Sequence, residues 1–146
     1  PRAFLERCLE TIAAREPVVK AFTAINEAGA RTAADASTAR WKAGKPLSPI
    51  DGMPVAIKDL LETKDMPTEM GCEAFRGNFP KRDNAAVWAL RQAGAIILAK
   101  TVTAEMGGAH PGAGLFDTQV VHLDAPDLGG DPGGVNLYHF AGAYCA

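Results

Sequence analysis

The sequence predicts an α/β fold, a mixed β-sheet flanked by helices. Residues 53–57 and 95–99 are short apolar runs with β-branched side chains, which are typical of buried strands. Between them, residues 84–93 place apolar side chains on one side of a helix. A strand, a helix and a strand in this order indicate a sheet with at least one crossover connection.

The N-terminal part predicts one helix and one strand. Residues 2–14 carry apolar side chains at helical spacing. Glu16-Pro17 is predicted to end this helix, because the residue before a proline avoids the α conformation. In residues 18–25, side chains of different polarity alternate well enough to predict a short strand.

The next segments predict a second helix, a long connection and a helix start. Residues 27–43, rich in Ala, Arg, Asp and Lys, predict a helix that Gly44 stops. Residues 59–80 have mixed polarity and many helix and strand breakers, so they are predicted to be mostly loop. Asp83 is the expected N-cap of helix 84–93. The tryptophans, Trp41 and Trp88, are expected to anchor the core.

Composition excludes several classes of function. The 146 residues are 47% hydrophobic and 22% charged, as in an ordinary globular protein. A net charge of −2 provides no electrostatic footprint for nucleic acid or an anionic membrane. The scattered cysteines Cys8, Cys72 and Cys145 argue against a disulfide framework or a zinc site and for a reducing compartment. We therefore expect a cytoplasmic protein with no metal and no membrane contact.

Lys58 directly follows the apolar run 53–57. In one interpretation its stem covers apolar surface while the ammonium group reaches water. In the other, the strand end delivers the side chain into a cleft, since active sites in open α/β sheets lie at strand ends. Burial against Val55 and Ile57 would then help keep the amine neutral, so that it could act as a base.

A longer pattern favours the second interpretation. Residues 50–59, Ile-Asp-Gly-Met-Pro-Val-Ala-Ile-Lys-Asp, resemble the lysine motif of the amidase signature family. The resemblance covers about residues 4–110 and includes residues 62–68, Gly71, residues 93–98, Lys100-Thr101 and Glu105. It implies the N-terminal part of the larger amidase-signature fold. Residues 1–146 would form a partial domain, with 1–106 matching well and 107–146 a divergent tail.

The resemblance implies a Ser–Ser–Lys mechanism with Lys58 as the catalytic lysine. One serine attacks a linear carboxamide, a second serine relays the proton, and an unprotonated lysine accepts it. The expected partner is a small-molecule amide, with no cofactor and no nucleic acid, and a homodimer is allowed. Two alternatives stay open: an A-type subunit of a glutamyl/aspartyl-tRNA amidotransferase, which would have protein and tRNA partners, and a non-catalytic binding domain.

The tail departs from the family pattern. All 15 Lys and Arg residues lie at or before Lys100. Gly133 and Gly134 fall in the register of the family's glycine-rich loop and are the expected substrate-binding residues, but Val135 and Asn136 stand where the resemblance requires serines. We expect this chain to be a fragment that is inactive alone. An imperfectly assigned tail, a frame change and a paralogue that lost catalysis all remain open.

Two other groups of residues are weaker candidates for a functional site. The tail contains His110, His122 and His139 beside four aspartates, but at no compact metal-binding spacing, so solvated loop residues are the preferred interpretation. Cys72 with a distant histidine could form a thiol nucleophile. A small buried cysteine is the commoner situation, and nothing nearby in the sequence marks Cys72 as reactive.

Overall fold

The computed structural model describes residues 1–108, 119–120 and 140–141. Two short strands at the far end of this set, β4 (Gln119–Val120) and β5 (Phe140–Ala141), pair with each other antiparallel. The main body contains three helices, α1 (Arg2–Val19), α2 (Glu27–Lys42) and α3 (Ala85–Gln92), and three strands, β1 (Phe22–Ile25), β2 (Pro54–Lys58) and β3 (Ile96–Thr101).

The sheet of the main body is mixed, as predicted. Its strand order is β1-β3-β2, with β1 antiparallel and β2 parallel to the central strand. The predicted crossover is also confirmed, because α3 connects the two parallel strands. The central position of β3 explains why all six of its residues are buried.

Helices cover both faces of the sheet. Successive side chains of a strand point to opposite faces, and Ile96 and Ile97 accordingly belong to different hydrophobic clusters. Ile96 packs with side chains of α1 and α2, whereas Ile97 packs with Ile57 and with Val87 of α3. The result is a three-layer arrangement in which the sheet is the middle layer.

The predicted end of the first helix is wrong. Pro17 lies inside α1, which continues to Val19, and Lys20 closes the helix in the left-handed conformation. The Glu16 carboxylate accepts hydrogen bonds from the backbone N–H groups of Ala21 (3.1 Å) and Phe22 (2.8 Å). These bonds tie the last helical turn to the start of β1, which therefore begins at Phe22 rather than at residue 18.

Two predictions about individual side chains are also wrong. Asn84, rather than Asp83, caps α3, because its side chain accepts from the N–H of Ala86. Asp83 instead accepts a hydrogen bond from the Lys64 N–H, which ties it to the long loop. The tryptophans are not core anchors: Trp41 is 45% exposed and Trp88 is 58% exposed. The prediction that residues 59–80 are mostly loop is confirmed; the exceptions are a 3₁₀ turn, Glu73–Phe75, and an isolated bridge between Thr63 and Met66.

Candidate active site

Lys58 is the last residue of β2, at the edge where both parallel strands end. It pairs in register with Thr101, the last residue of β3. Ligand sites of open α/β sheets lie outside the carboxyl ends of the strands, so Lys58 stands where such a site is expected. Its side chain is exposed. Burial against Ile57 does not occur, because that side chain packs into the α3-side cluster and the next residue along a strand points the other way.

The buried lysine of this edge is Lys100. Its side chain is fully enclosed, and its Nζ lies 2.9 Å from Asp59 Oδ1. The ammonium group also donates to Thr68 Oγ1 (2.6 Å) and to the Pro67 carbonyl (3.1 Å). Burial lowers the pKa of Lys100, and the neighbouring Asp59 carboxylate opposes that effect.

Asp59 fastens the chain directly after Lys58. Its backbone N–H donates to the Thr101 carbonyl (3.0 Å), which extends the β2–β3 pairing by one bond. Its Oδ2 accepts from the Glu69 N–H (3.1 Å), and its carbonyl accepts from the Met70 N–H (3.1 Å). The residue next to Lys58 is therefore held by the central strand and by the following loop at once.

Asp51 and Gly52, near the start of the lysine motif, form the corner through which the chain enters β2. The Arg40 guanidinium donates two hydrogen bonds to the buried Asp51 carboxylate, at 2.8 Å and 2.6 Å. These bonds hold the pKa of Asp51 well below its usual range. Gly52 follows with φ +88°, and a Cβ there would meet Pro1 and the Ser37 hydroxyl at 2.6 Å. This corner sets the direction in which the chain enters β2.

A small cleft of about 190 Å³ opens beside Asp59 at the same edge of the sheet. Its lining is mostly polar and comprises Thr23, Asp59, Glu69, Gly71, Cys72, Glu73 and Arg76. Cys72 is half-buried rather than buried as expected, and it has no histidine near it in residues 1–108, since all three histidines come later in the sequence. The described residues thus offer this thiol no imidazole base.

Comparison with known proteins decides the family. Residues 3–111 match the amidase family. The chain belongs to the amidase family. This membership confirms the resemblance first suggested by residues 50–59, and the mixed sheet with its flanking helices agrees with the fold of solved amidases.

Individual similar proteins show how much of their length this chain matches. The chain is 44% identical over 97 residues to the A-type subunit of glutamyl-tRNA(Gln) amidotransferase from Rhodopirellula baltica, covering 66% of this chain and 19% of that protein. The native peptide amidase of Stenotrophomonas maltophilia superposes with a TM-score of 0.60 at 30% identity, covering 71% of this chain and 21% of that one. A component of a vestigial complex related to the origin of an s-triazine catabolic enzyme gives a TM-score of 0.67 at 32% identity, covering 71% and 23%. The matched part is therefore about a fifth of the length of each of these relatives.

Several residues named from the sequence lie outside the described part of the chain. Gly133 and Gly134, the expected substrate-binding residues, belong to this group, as do the histidines and aspartates of the tail. Within the described residues, no group of three or more His, Cys, Asp and Glu side chains is arranged to hold a metal ion. None of the described helices has the length and apolar character needed to cross a membrane.

Sequence reasoning missed the roles of Lys100 and Asp59. Both stand inside the quoted motifs, yet neither drew attention as a buried charge. The sequence does show that Lys100 directly follows an apolar run, and a lysine that is buried at such a place needs an enclosed counter-charge. What the sequence could not supply was the central position of that strand.

Proposed function

We propose that Lys58 is the catalytic lysine of a serine-dependent amidase that hydrolyses the C–N bond of linear carboxamides. The observation that carries the proposal is the location of Lys58 at the carboxyl end of β2, within the lysine motif of a chain that belongs to the amidase family. Residues 1–108 would supply the base, and the serine nucleophile and the relay serine would come from elsewhere in the complete enzyme. A cytoplasmic location and a divergent tail at 107–146 are part of this proposal.

The chemistry assigned to Lys58 is proton transfer. An unprotonated amine accepts the proton of the attacking serine through the relay serine and returns it to the leaving nitrogen. Ser37 and Ser48 are the only serines in the sequence, and both precede Lys58. Ser37 is buried in α2 and Ser48 donates to the Ala93 carbonyl, so neither is placed to be the nucleophile. The 146-residue chain alone is therefore expected to release no ammonia from carboxamides.

A graft tests the role of Lys58. Residues 1–108 replace the matching segment of the Stenotrophomonas maltophilia peptide amidase, and ammonia release from a peptide amide is measured. The graft is expected to be active, and Lys58→Met is expected to lower kcat by about 10²- to 10⁴-fold, the usual contribution of a general base. Lys81→Met is the control, because Lys81 is an exposed lysine on the loop before α3. A Lys58→Met graft that keeps its activity would overturn the proposal.

A second function is favoured by the 44% identity to the A-type chain of a tRNA-dependent amidotransferase. In this alternative the complete protein would release ammonia from an amide donor and pass it to an aminoacyl-tRNA within a complex of several chains. The two functions separate on the full-length protein, assayed with simple carboxamides and with glutamine. Glutamine-dependent amidation of a charged tRNA would replace the simple amidase proposal.

The third possibility, a binding domain without catalysis, draws on Val135 and Asn136, which stand in the register of the missing serines. Sequencing of the gene and intact mass of the natural protein address it directly. A complete product without serines after Gly134 would remove the hydrolytic function and leave only the fold.

A further inference from the structure

Lys100 connects the central strand to the segment that directly follows Lys58. Among residues 1–108, its ammonium group makes three polar contacts, all to this segment: Asp59 Oδ1, the Pro67 carbonyl and Thr68 Oγ1, at 2.6 to 3.1 Å. Its side chain is fully enclosed and that of Asp59 is 2% exposed. The contact is therefore an interior ion pair that bulk water does not screen.

Stability alone does not account for such a pair. Desolvating two charges costs several kcal/mol, and replacement of a buried pair by apolar groups of similar volume is often neutral or favourable. The part of β3 that precedes Lys100 is apolar, with Ile96, Ile97 and Leu98 all buried. A methionine would extend this pattern at no desolvation cost. The charge points instead to a need for one defined geometry at this place.

The β2–β3 pairing has a register that needs such definition. Val55 pairs with Ile97, but Ala56 pairs with Ala99, so the ladder shifts by one residue between them. The extra residue lies on β3, where Leu98 and Ala99 both belong to the cluster beneath α1 and α2. A slip of the pairing by one residue would turn every later β2 side chain to the opposite face of the sheet. Beyond the shift, Ile57 pairs with Lys100 and Lys58 with Thr101. The Asp59–Lys100 ion pair joins the residue that follows Lys58 on one strand to the residue that precedes Thr101 on the other.

We propose that Lys100 is a positioning residue for Lys58. Its ion pair with Asp59 locks the register of the last residues of β2 after the ladder shift, and so determines the face on which the Lys58 amine is presented. Lys100 itself touches no reacting atom. The inference rests on the proposed function only where Lys58 is taken as the base, since the register lock is a property of the described residues themselves.

The register is tested first, in the 146-residue chain. Amide hydrogen exchange and backbone NOEs between Lys58 and Thr101 are compared in the wild type, Lys100→Met, and the double variant Asp59→Asn/Lys100→Met, which removes both charges. Protection of the Asp59 N–H, bonded to the Thr101 carbonyl, is expected to fall at least about tenfold in both variants. The Ile96 amide, which donates to the Met53 carbonyl before the ladder shift, is expected to keep its protection. Unchanged Asp59 protection and an unchanged Lys58–Thr101 NOE in the double variant would overturn the proposal.

The matched control is Lys64→Met. Lys64 also forms an ion pair, with Asp83 at 3.7 Å, but its side chain is 56% exposed. Surface pairs of this kind contribute little, so this variant should leave the Asp59 amide as protected as in the wild type. Loss of protection in Lys64→Met as large as in Lys100→Met would show that any charge removal loosens the loop, and would overturn the specific role of Lys100.

Activity is measured second, in the peptide amidase graft. The double variant is expected to unfold at a temperature close to that of the unsubstituted graft, yet to lose about 10²-fold in kcat with little change in KM, because misplacement of a reacting group by about 1 Å costs this much. A stable double variant with unchanged kcat would overturn the positioning role. Failure of the proposed function gives a different result, namely a Lys58→Met graft that stays active while the exchange experiment still shows the register lock.

Discussion

Removal of one partner from the Asp51–Arg40 pair, at the entrance to β2, should destabilise this chain strongly. The side chain of Asp51 is fully enclosed and that of Arg40 is 29% exposed. Asp51 accepts two hydrogen bonds from Arg40 and one from the Leu47 N–H at 2.9 Å. The Trp41 Nε1–H donates to the Asp51 carbonyl at 2.8 Å, so a fluorescent group reports on this corner.

The perturbation is Asp51→Asn, which keeps the shape and removes the charge. Asparagine retains one oxygen for the Leu47 N–H, but its NH₂ group then faces the guanidinium donors. Loss of a buried ionic partner costs about 3–5 kcal/mol. Arg40 is partly exposed and can turn toward water, which reduces this cost. We therefore expect the free energy of unfolding to fall by about 2–3 kcal/mol at pH 7, at or below the lower end of that range.

The loss should depend on pH with a defined sign. Because the pKa of Asp51 is depressed in the folded state, the pair stabilises fully above the unfolded-state pKa of about 3.9 and loses its effect as pH falls toward the folded-state value. Urea unfolding followed by tryptophan fluorescence should show the gap between wild type and Asp51→Asn narrowing below about pH 4.

The control is Asp35→Asn. Asp35 also contacts an arginine, Arg2, but its side chain is 60% exposed, so the expected change is below about 0.5 kcal/mol. The reasoning would be refuted if the free energies of unfolding of wild type and Asp51→Asn differed by less than about 0.5 kcal/mol at pH 7. A difference that stays the same between pH 7 and pH 3 would also refute it.

Two further substitutions probe the same framework by urea unfolding. Gly94→Ala should lower the free energy of unfolding by at least about 1 kcal/mol more than Gly44→Ala. Both glycines have positive φ, but a Cβ at residue 94 would lie 2.5 Å from Asp51 Oδ1, whereas nothing lies within 4 Å of a Cβ at residue 44. Equal losses of stability in the two variants would remove the steric argument. Thr101→Val should be neutral or stabilising by up to about 1 kcal/mol, because the buried Thr101 hydroxyl has no hydrogen-bond partner among the described residues. A loss above about 1 kcal/mol there would mean that the hydroxyl is satisfied.

Features that depend on neighbouring residues along the chain were predictable. Helix α2 and strands β2 and β3 were found within a few residues of their bounds, because hydrophobic periodicity and glycine stops are local signals. The end of α1 was not, because the Glu16 carboxylate bonds to backbone groups five and six residues away and keeps a proline-containing turn helical. The exposure of Trp88 was also missed, since the same periodicity does not tell how wide the covered face of a helix is.

In the candidate site, too, local sequence features were predictable and contacts between distant residues were not. Recognition of Lys58 depended on the order and spacing of a motif, which a sequence contains in full, and its catalytic role stays a prediction. The contacts of Asp59 were not predictable, because its partners stand at residues 69, 70, 100 and 101 and only the folded loop brings them together.

Lys58 and Lys100 show most plainly what the sequence determines and what the tertiary structure determines. By itself, the sequence determined that each lysine directly follows a short apolar run, Val-Ala-Ile in one case and Ile-Leu-Ala in the other. It also determined the family, through the motif around Lys58. Only the tertiary structure decided that Lys58 is exposed and Lys100 enclosed. The physical reason is strand order: β3 lies between two strands and under helices on both faces, whereas β2 is one of the two outer strands of the three-stranded sheet.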